Sequence, residues 1–314
     1  MHKKGCIFLI SARKKLLKDC LKYLDQNYNN KFNYPIIIFY HGNIYDDEIF
    51  RNSIRTINLN TEYRFHKINS KLPSNIKEKD LFWNLDNPYA RSFKGRLGYL
   101  HAITFKINFI NYEQFNEFDY LMVIDDDSWF KGKIEIDLFE ELDKKKGLFA
   151  TAYTWQNNQR AQYTQYNLFN WTRNYIKKNN LKIRDKQLRE ALKGEINNDL
   201  FNSLNWSCGN CNIYKIEMFK SKDWKNFNNE FNKIAGGYRY RWGDCEIISL
   251  YAYIHLKPAL INLDLRSKKL YEPQLPNSEI IVNKRIVLIE KIKTKLKLIL
   301  KNSLLASVIS LVLK

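Results

Sequence analysis

The sequence predicts an α/β fold, on two main observations. Short apolar runs bounded by turn residues alternate with segments of helical spacing through the first half of the chain. One of those runs, Tyr120-Leu-Met-Val-Ile124, ends abruptly in three carboxylates, Asp125, Asp126 and Asp127. A third observation sits further on: Gly236-Gly-Tyr-Arg-Tyr-Arg-Trp-Gly-Asp244 is a glycine-, aromatic- and arginine-rich loop closed by an acid.

Taken in order, Cys6 to Ser11 reads as a strand. Leu16 to Leu24 reads as a helix, because Leu16, Leu17, Leu21 and Leu24 share one face. Tyr34 to Tyr40 is a second strand, stopped by His41-Gly42; Asp46 to Ile57 is helical and Thr61 to Ile68 a weaker strand. Gly98 to Tyr112 reads as a helix leading into the strand Tyr120 to Ile124, and Leu148 to Tyr153 continues the sheet. Such alternation argues for a parallel-type sheet covered on both faces. The stretch from Trp155 to Asn205 turns polar and basic, and reads as a helical insertion that either shapes a binding site or is a solvated excursion. Beyond it come a strand at Asn210 to Tyr214, helices over Lys215 to Asn226 and Asp244 to Tyr253, and a closing strand over Pro258 to Asp264.

With 314 residues the chain can build one large domain, expected over residues 1–280. The formal net charge of +19 favours anionic partners: a phosphorylated substrate, a membrane surface or nucleic acid. No nucleic-acid motif accompanies the charge, so no nucleic-acid partner is expected. The five cysteines are odd in number and scattered, which argues against a disulfide framework. Cys208-Gly-Asn-Cys211 has the spacing of half a zinc site but no second pair, so buried free thiols are the better reading.

Gly5 to Ser11 is too short for a signal-peptide core and is followed by Arg13, Lys14 and Lys15, which makes a cytoplasmic chain the default expectation. Residues 281–314 differ from the rest. From Lys284 onward eight Lys or Arg face only Glu290, among dense aliphatic residues. The uncharged run after Lys301 is about a dozen residues, short of the roughly 20 needed to span a bilayer. A basic amphipathic tail lying on an anionic membrane surface fits that composition, with packing on the domain or against another subunit as the alternative.

In a strand, alternate side chains share a face, so Asp125 and Asp127 can converge on one ligand while Asp126 turns away or bonds locally. Hard cations such as Mn²⁺ or Mg²⁺ take carboxylate and phosphate oxygens together, and ligands of open α/β sheets sit beyond the carboxyl ends of strands. An enzyme using a nucleotide-sugar follows as the expectation. The plainer alternative is an Asp-rich turn. Tyr238, Tyr240 and Trp242 can wall a sugar or base, or merely pack in a core. Arg239 and Arg241 can answer diphosphate charge. Asp244 either caps the next helix or bonds sugar hydroxyls.

The segment Gly236-Gly-Tyr-Arg-Tyr-Arg-Trp-Gly-Asp-Cys-Glu246 resembles the Gly-Gly-Phe-Tyr-Tyr-Glu-Arg-Trp-Gly-Asp-Ala-Pro signature of the fungal α-1,2-mannosyltransferase family. Asn30 to Pro35, Phe118 to Asp127, Asn210 to Ile213 and, loosely, Tyr89-Ala-Arg91 resemble further family segments in the same order. The resemblance implies a GT-A-type nucleotide-diphospho-sugar transferase fold, a single Rossmann-like mixed sheet with helices on both faces. It also implies a metal-dependent, retaining hexosyltransferase using GDP-mannose and Mn²⁺ or Mg²⁺, with a glycan or glycolipid acceptor. Under it, Asp125 and Asp127 take the metal. Arg91, Arg96, Tyr238, Arg239, Arg241 and Trp242 serve the donor, and Asp244, Asn212 and Glu246 take the catalytic positions. Three departures stand out. Asn212 replaces an acid proposed in the family as a nucleophile, Cys245-Glu246 replaces Ala-Pro, and the family's late metal-binding His is absent, with Tyr271 or Glu272 near its place. The alternatives are a non-catalytic sugar-binding or membrane-peripheral module, and a basic nucleic-acid-binding protein.

Overall fold

The computed structural model describes residues 3–68, 71–86, 88–156, 165–193, 201 and 203–274. The chain divides into two compact units, residues 1–273 and 274–314. Of the second only Gln274 is among the described residues, so the amphipathic tail expected over 281–314 lies outside them.

The first unit runs β1 (Gly5–Ile10), α1 (Lys14–Leu24), β2 (Ile36–Tyr40), α2 (Glu48–Arg55), β3 (Tyr63–Lys67), α3 (Leu97–Asn108), β4 (Tyr120–Ile124) and β5 (Trp129–Phe130). It continues with α4 (Leu138–Lys144), β6 (Phe149–Thr151), β7 (Thr154–Trp155), α5 (Leu168–Lys178), α6 (Lys186–Ala191), β8 (Trp206–Ser207) and β9 (Cys211–Lys215). Last come α7 (Lys222–Lys233), α8 (Asp244–His255), β10 (Ile261–Asn262) and β11 (Tyr271–Glu272). Apart from one helix, each strand and helix expected from the pattern is present, with ends moved by a few residues. The helix expected over Lys215 to Asn226 is instead a short turn, Glu217–Lys220, followed by α7, which Ser221 caps by accepting from the Trp224 N–H.

Seven strands form one sheet in the order β10-β6-β9-β4-β1-β2-β3. β1 pairs in parallel with β2 (Ile7↔Ile36) and with β4 (Gly5↔Tyr120), and β2 pairs in parallel with β3. β9 runs antiparallel between β4 and β6 (Ile124↔Cys211, Thr151↔Asn212). The sheet is therefore mixed, not wholly parallel: β9 returns in the reverse direction because the long excursion from β6 brings the chain back to the carboxyl edge. Every residue of β2 and nearly all of β1 and β4 are buried, as a sheet covered on both faces requires. On one face Cys6 and Phe8 join Phe105, Phe109 and Phe115 in the main core. The stretch read as an insertion contributes Leu168, Phe169, Tyr175 and Leu188 to the same core, and its bounding strands β7 and β8 pair with each other. A smaller cluster gathers Phe82, Trp83, Leu100, Ile103 and Tyr238.

Strand order turns at β1: the chain moves to β2 and β3 on one side, then to β4 on the other. In open α/β sheets the crevice beyond the carboxyl ends at such a switch point holds the ligand. Here that crevice is bounded by Ser11 and Arg13 after β1 and by Asp125 to Asp127 after β4. The reversed β9 brings its leading loop, Gly209-Asn210, to the same edge, where the Asp125 N–H donates to Asn210 O at 3.2 Å.

Candidate active site

The three aspartates have three different environments. Asp126, 3% exposed, accepts from Ser11 Oγ at 2.6 Å and from Arg13 Nε at 3.2 Å, and Arg13 Nη2 reaches its other oxygen. Ser11 Oγ also lies 2.6 Å from Tyr45 Oη. Rather than bonding locally, Asp126 ties the end of β4 to the end of β1. Asp127 shares the Arg13 guanidinium at 3.1 Å. Its carboxyl is pushed up to about 6, first by burial and then by the nearby Asp125 charge, with Arg13 pulling the other way.

Asp125 faces the opposite wall. Its Oδ1 accepts from Lys106 Nζ, which also donates to Gly209 O at 3.2 Å and lies 3.8 Å from Asp244 Oδ2. Burial works against the charge on Lys106, but Asp125 and Asp244 outweigh it and hold the ammonium above its ordinary value. Asp244 is 4% exposed, and burial pushes its carboxyl up to about 6 although Lys106 draws it back. Gly209 sits in the left-handed region at φ +72°, and a Cβ there would strike Cys245 Sγ with Asp244 Oδ2 only 3.4 Å away. Glycine is thus required where the β9 loop crosses the start of α8.

Asp244 is the first residue of α8 and Gly243 is its N-cap, so Asp244 does not itself cap the helix. Burial pushes the Glu246 carboxyl up to about 7, with Arg241 and the backbone N–H groups of Glu246 and Gly243 drawing it back. Asn212 is fully buried in β9, its Oδ1 3.9 Å from Cys208 Sγ. All five cysteines are free.

The glycine-aromatic loop is chiefly scaffold. A Cβ on Gly236 would strike Trp242 and Phe231, and one on Gly237 would strike Thr104, so these glycines serve close packing of a helical turn, Gly236–Arg239, rather than approach to a ligand. Trp242 is fully buried, stacks on Tyr240 at 4.9 Å and donates from Nε1 to Tyr166 O at 2.9 Å. Tyr238 turns to the smaller cluster, its Oη 2.9 Å from His101 Nδ1. Arg239 pairs with Asp80 at 3.4 Å and donates to Asn75 O. Arg241, at φ 60°, lies over the rings of Tyr89, Phe93 and Tyr99 and donates to Tyr99 Oη at 2.7 Å. Arg91 pairs with exposed Asp86, and Arg96 lies over Phe93. None of the arginines expected to serve the donor bonds an acid of the aspartate centre, and Trp242 and Tyr238 are buried.

Two residues that do build the centre were not singled out as functional from the sequence. Arg13 followed a strand end, the one clue available. Lys106 lay on the α3 face that carries Ile103 and Ile107, where a charge breaks the apolar pattern and asks for a buried partner.

Four acids, Asp125, Asp126, Asp127 and Asp244, meet two cations, Arg13 and Lys106, a formal excess of two negative charges. Among the described residues no three His, Cys, Asp or Glu side chains converge with ligating geometry. Two hard-oxygen carboxylates, Asp125 and Asp127, fit a divalent ion that completes its shell with phosphate and water. Tyr271, near the place of the family's histidine, instead shares hydrogen bonds with Ser128 and Asn210 O, and Glu272 pairs with Arg266 at 3.4 Å.

The geometry has counterparts. The core-mannan synthase A (Ktr4) of Aspergillus fumigatus, solved in a Mn/GDP form, superposes with a TM-score of 0.67 at 16% identity, covering 83% of this chain and 73% of that one. The Ktr4p mannosyltransferase of Saccharomyces cerevisiae gives 0.66 at 17% identity, over 83% and 69%. At these identities the likeness establishes the fold: GT-A-like, a mixed sheet flanked by helices. A curated relative, the probable mannosyltransferase KTR3 of Saccharomyces cerevisiae, is 23% identical over 254 residues, and the chain spans 77% of itself and 59% of that relative's length in the match. Residues 1–264 match the family described as glycolipid 2-alpha-mannosyltransferase, and the chain belongs to that family.

Proposed function

We propose that this chain is a metal-dependent mannosyltransferase that moves mannose from GDP-mannose to a hydroxyl of a glycan or glycolipid, with retention at the anomeric carbon. The observation that carries the reading is the acidic strand end, Asp125 to Asp127, at the switch point of a sheet whose family is known. The Mn/GDP form of the Aspergillus protein supports the choice of nucleotide and ion. Asp125 and Asp127 would hold the cation, which when bound neutralises charge developing on the leaving diphosphate.

The chain's own groups do the rest. Arg13 anchors Asp126 and Asp127, fixing one of the two proposed ligands before the donor arrives. Asp244, at the positive end of α8, is assigned to orient a donor-sugar hydroxyl. Asn212 is an amide and fully buried, so it supplies no carboxylate nucleophile. We therefore assign a same-face route: the bond from C1 to the diphosphate oxygen breaks, the acceptor oxygen bonds C1 on that face, and the acceptor proton passes to the leaving diphosphate. An open cleft of about 610 Å³, lined by Tyr153, Thr154, Asn262, Asp264 and Arg266 among others, is assigned to the acceptor. Among the described residues no helix is long and apolar enough to cross a membrane. Contact of residues 281–314 with an anionic membrane remains part of the proposal, supported by their composition.

A thermal-shift panel tests the reading. GDP-mannose with Mn²⁺ raises the melting temperature, since a ligand of the native state stabilises by mass action. UDP-glucose, UDP-galactose and UDP-N-acetylglucosamine do not. A shift with a UDP-sugar alone overturns the donor assignment. No shift with any donor, in protein that melts cooperatively, sinks the transferase reading.

A further inference from the structure

Lys106 is the one lysine or arginine among the described residues whose side chain is buried. It does not sit in a generic core. From the last turn of α3 it reaches one oxygen of Asp125, the Gly209 carbonyl at 3.2 Å and, at 3.8 Å, the Asp244 carboxylate. A buried ammonium persists only where acceptors replace its water, and all three acceptors here belong to the candidate active site. Arg13, the other cation of the centre, is nearly half exposed and serves Asp126 and Asp127. Each of the two proposed cation ligands therefore already carries a resident positive charge.

We propose that Lys106 is a positioning residue that makes cation binding conditional on the nucleotide. The inference rests on the reading of Asp125 and Asp127 as the cation ligands. In the free protein the ammonium occupies Asp125 and repels a divalent ion a few ångströms away, so the ion alone binds weakly. A diphosphate entering the crevice brings negative charge that faces both the ion and the ammonium, and the repulsion is offset. Binding of one ligand then strengthens the other, and by linkage the factor is the same in both directions. The same contact holds Asp244 against Asp125, so the sugar-orienting acid is in place before the donor arrives.

The test measures Mn²⁺ affinity by the loss of the free-ion paramagnetic resonance signal, with and without GDP, in the full-length protein. Two uncharged variants are compared. Lys106→Met removes charge and donor, and Lys106→Gln keeps a donor toward Asp125 in case the methionine leaves the centre too poorly satisfied to fold. In the wild type, GDP tightens Mn²⁺ binding. In either variant that melts cooperatively, Mn²⁺ alone binds roughly tenfold tighter, and the tightening by GDP shrinks by about the same factor. Wild-type binding in the presence of GDP, with variants that match it within twofold under both conditions, overturns the role of Lys106 while leaving the site reading intact. Absence of saturable Mn²⁺ binding to the wild type, with and without GDP, overturns both.

Discussion

The strand end at Asp125 to Asp127 and the loop at Gly236 to Trp242 carry the two strongest signals in the chain, and the fold uses them in opposite ways. At the strand end the side chains are incompletely neutralised. Asp127 is pushed up to about 6, and Asp125 is 36% exposed at its side chain. In the loop almost every group is satisfied by the protein: Trp242 by Tyr166 and Tyr240, Arg239 by Asp80, Gly236 by the bulk of Trp242 and Phe231. A site meant for a charged ligand keeps unspent electrostatic potential, whereas a scaffold consumes its own. On that contrast, a change at Asp127 is expected to alter activity without loss of stability, and changes in the loop to do the reverse.

The largest effect is expected at Asp127. Asp127→Asn removes a buried charge that burial and Asp125 both disfavour, and it leaves Arg13 its bonds to Asp126. The melting temperature should hold or rise. The proposed mannosyl transfer from GDP-mannose should fall by about 10³-fold or more, since a proposed cation ligand is lost. A variant that melts well below the wild type would show that the triplet is structural and that the contrast is misplaced.

Trp242→Ala is the converse. It opens a void against Trp171, Tyr240 and Gly236 and strands the Tyr166 carbonyl. A loss of about 3 kcal/mol in urea unfolding is expected. GDP affinity of the folded fraction should change little, because the indole is fully buried. A large loss of GDP affinity at unchanged stability would restore Trp242 to the donor wall.

The same contrast explains what the sequence revealed. Strand alternation is local chemistry, so Tyr120 to Ile124 and the acids that follow it could be placed on residue pattern alone. The direction of β9 could not: a five-residue strand reads alike forwards and backwards, and its reversal depends on where the excursion after β6 returns the chain. Nor could the partners of the acids be read, because Ser11, Arg13 and Lys106 reach them across 19 to 115 residues of sequence. The loop's glycines and aromatics suit both ligand contact and tight packing, and only the neighbours, Thr104 and Phe231, decide between the two.

The smallest expected effect lies where the two regions meet, at Glu246. Its carboxyl is pushed from an ordinary 4.5 to about 7, chiefly by burial, with Arg241 and two backbone N–H groups drawing it back. An acid harder to ionise in the folded state than in the unfolded favours folding while it is protonated. That contribution is complete below the unfolded value and is lost as pH rises from there to about 7. Glu246→Gln mimics the protonated form at every pH. The variant should match the wild type below about pH 4 and gain stability over it as pH rises, by up to about 3 kcal/mol, levelling off above pH 7. Melting curves of both proteins across that range decide the matter. A variant less stable than the wild type at pH 8 would mean that the attraction of Arg241 for an ionised Glu246 exceeds the cost of burying it. Glu246 would then belong with the satisfied loop rather than with the strained centre.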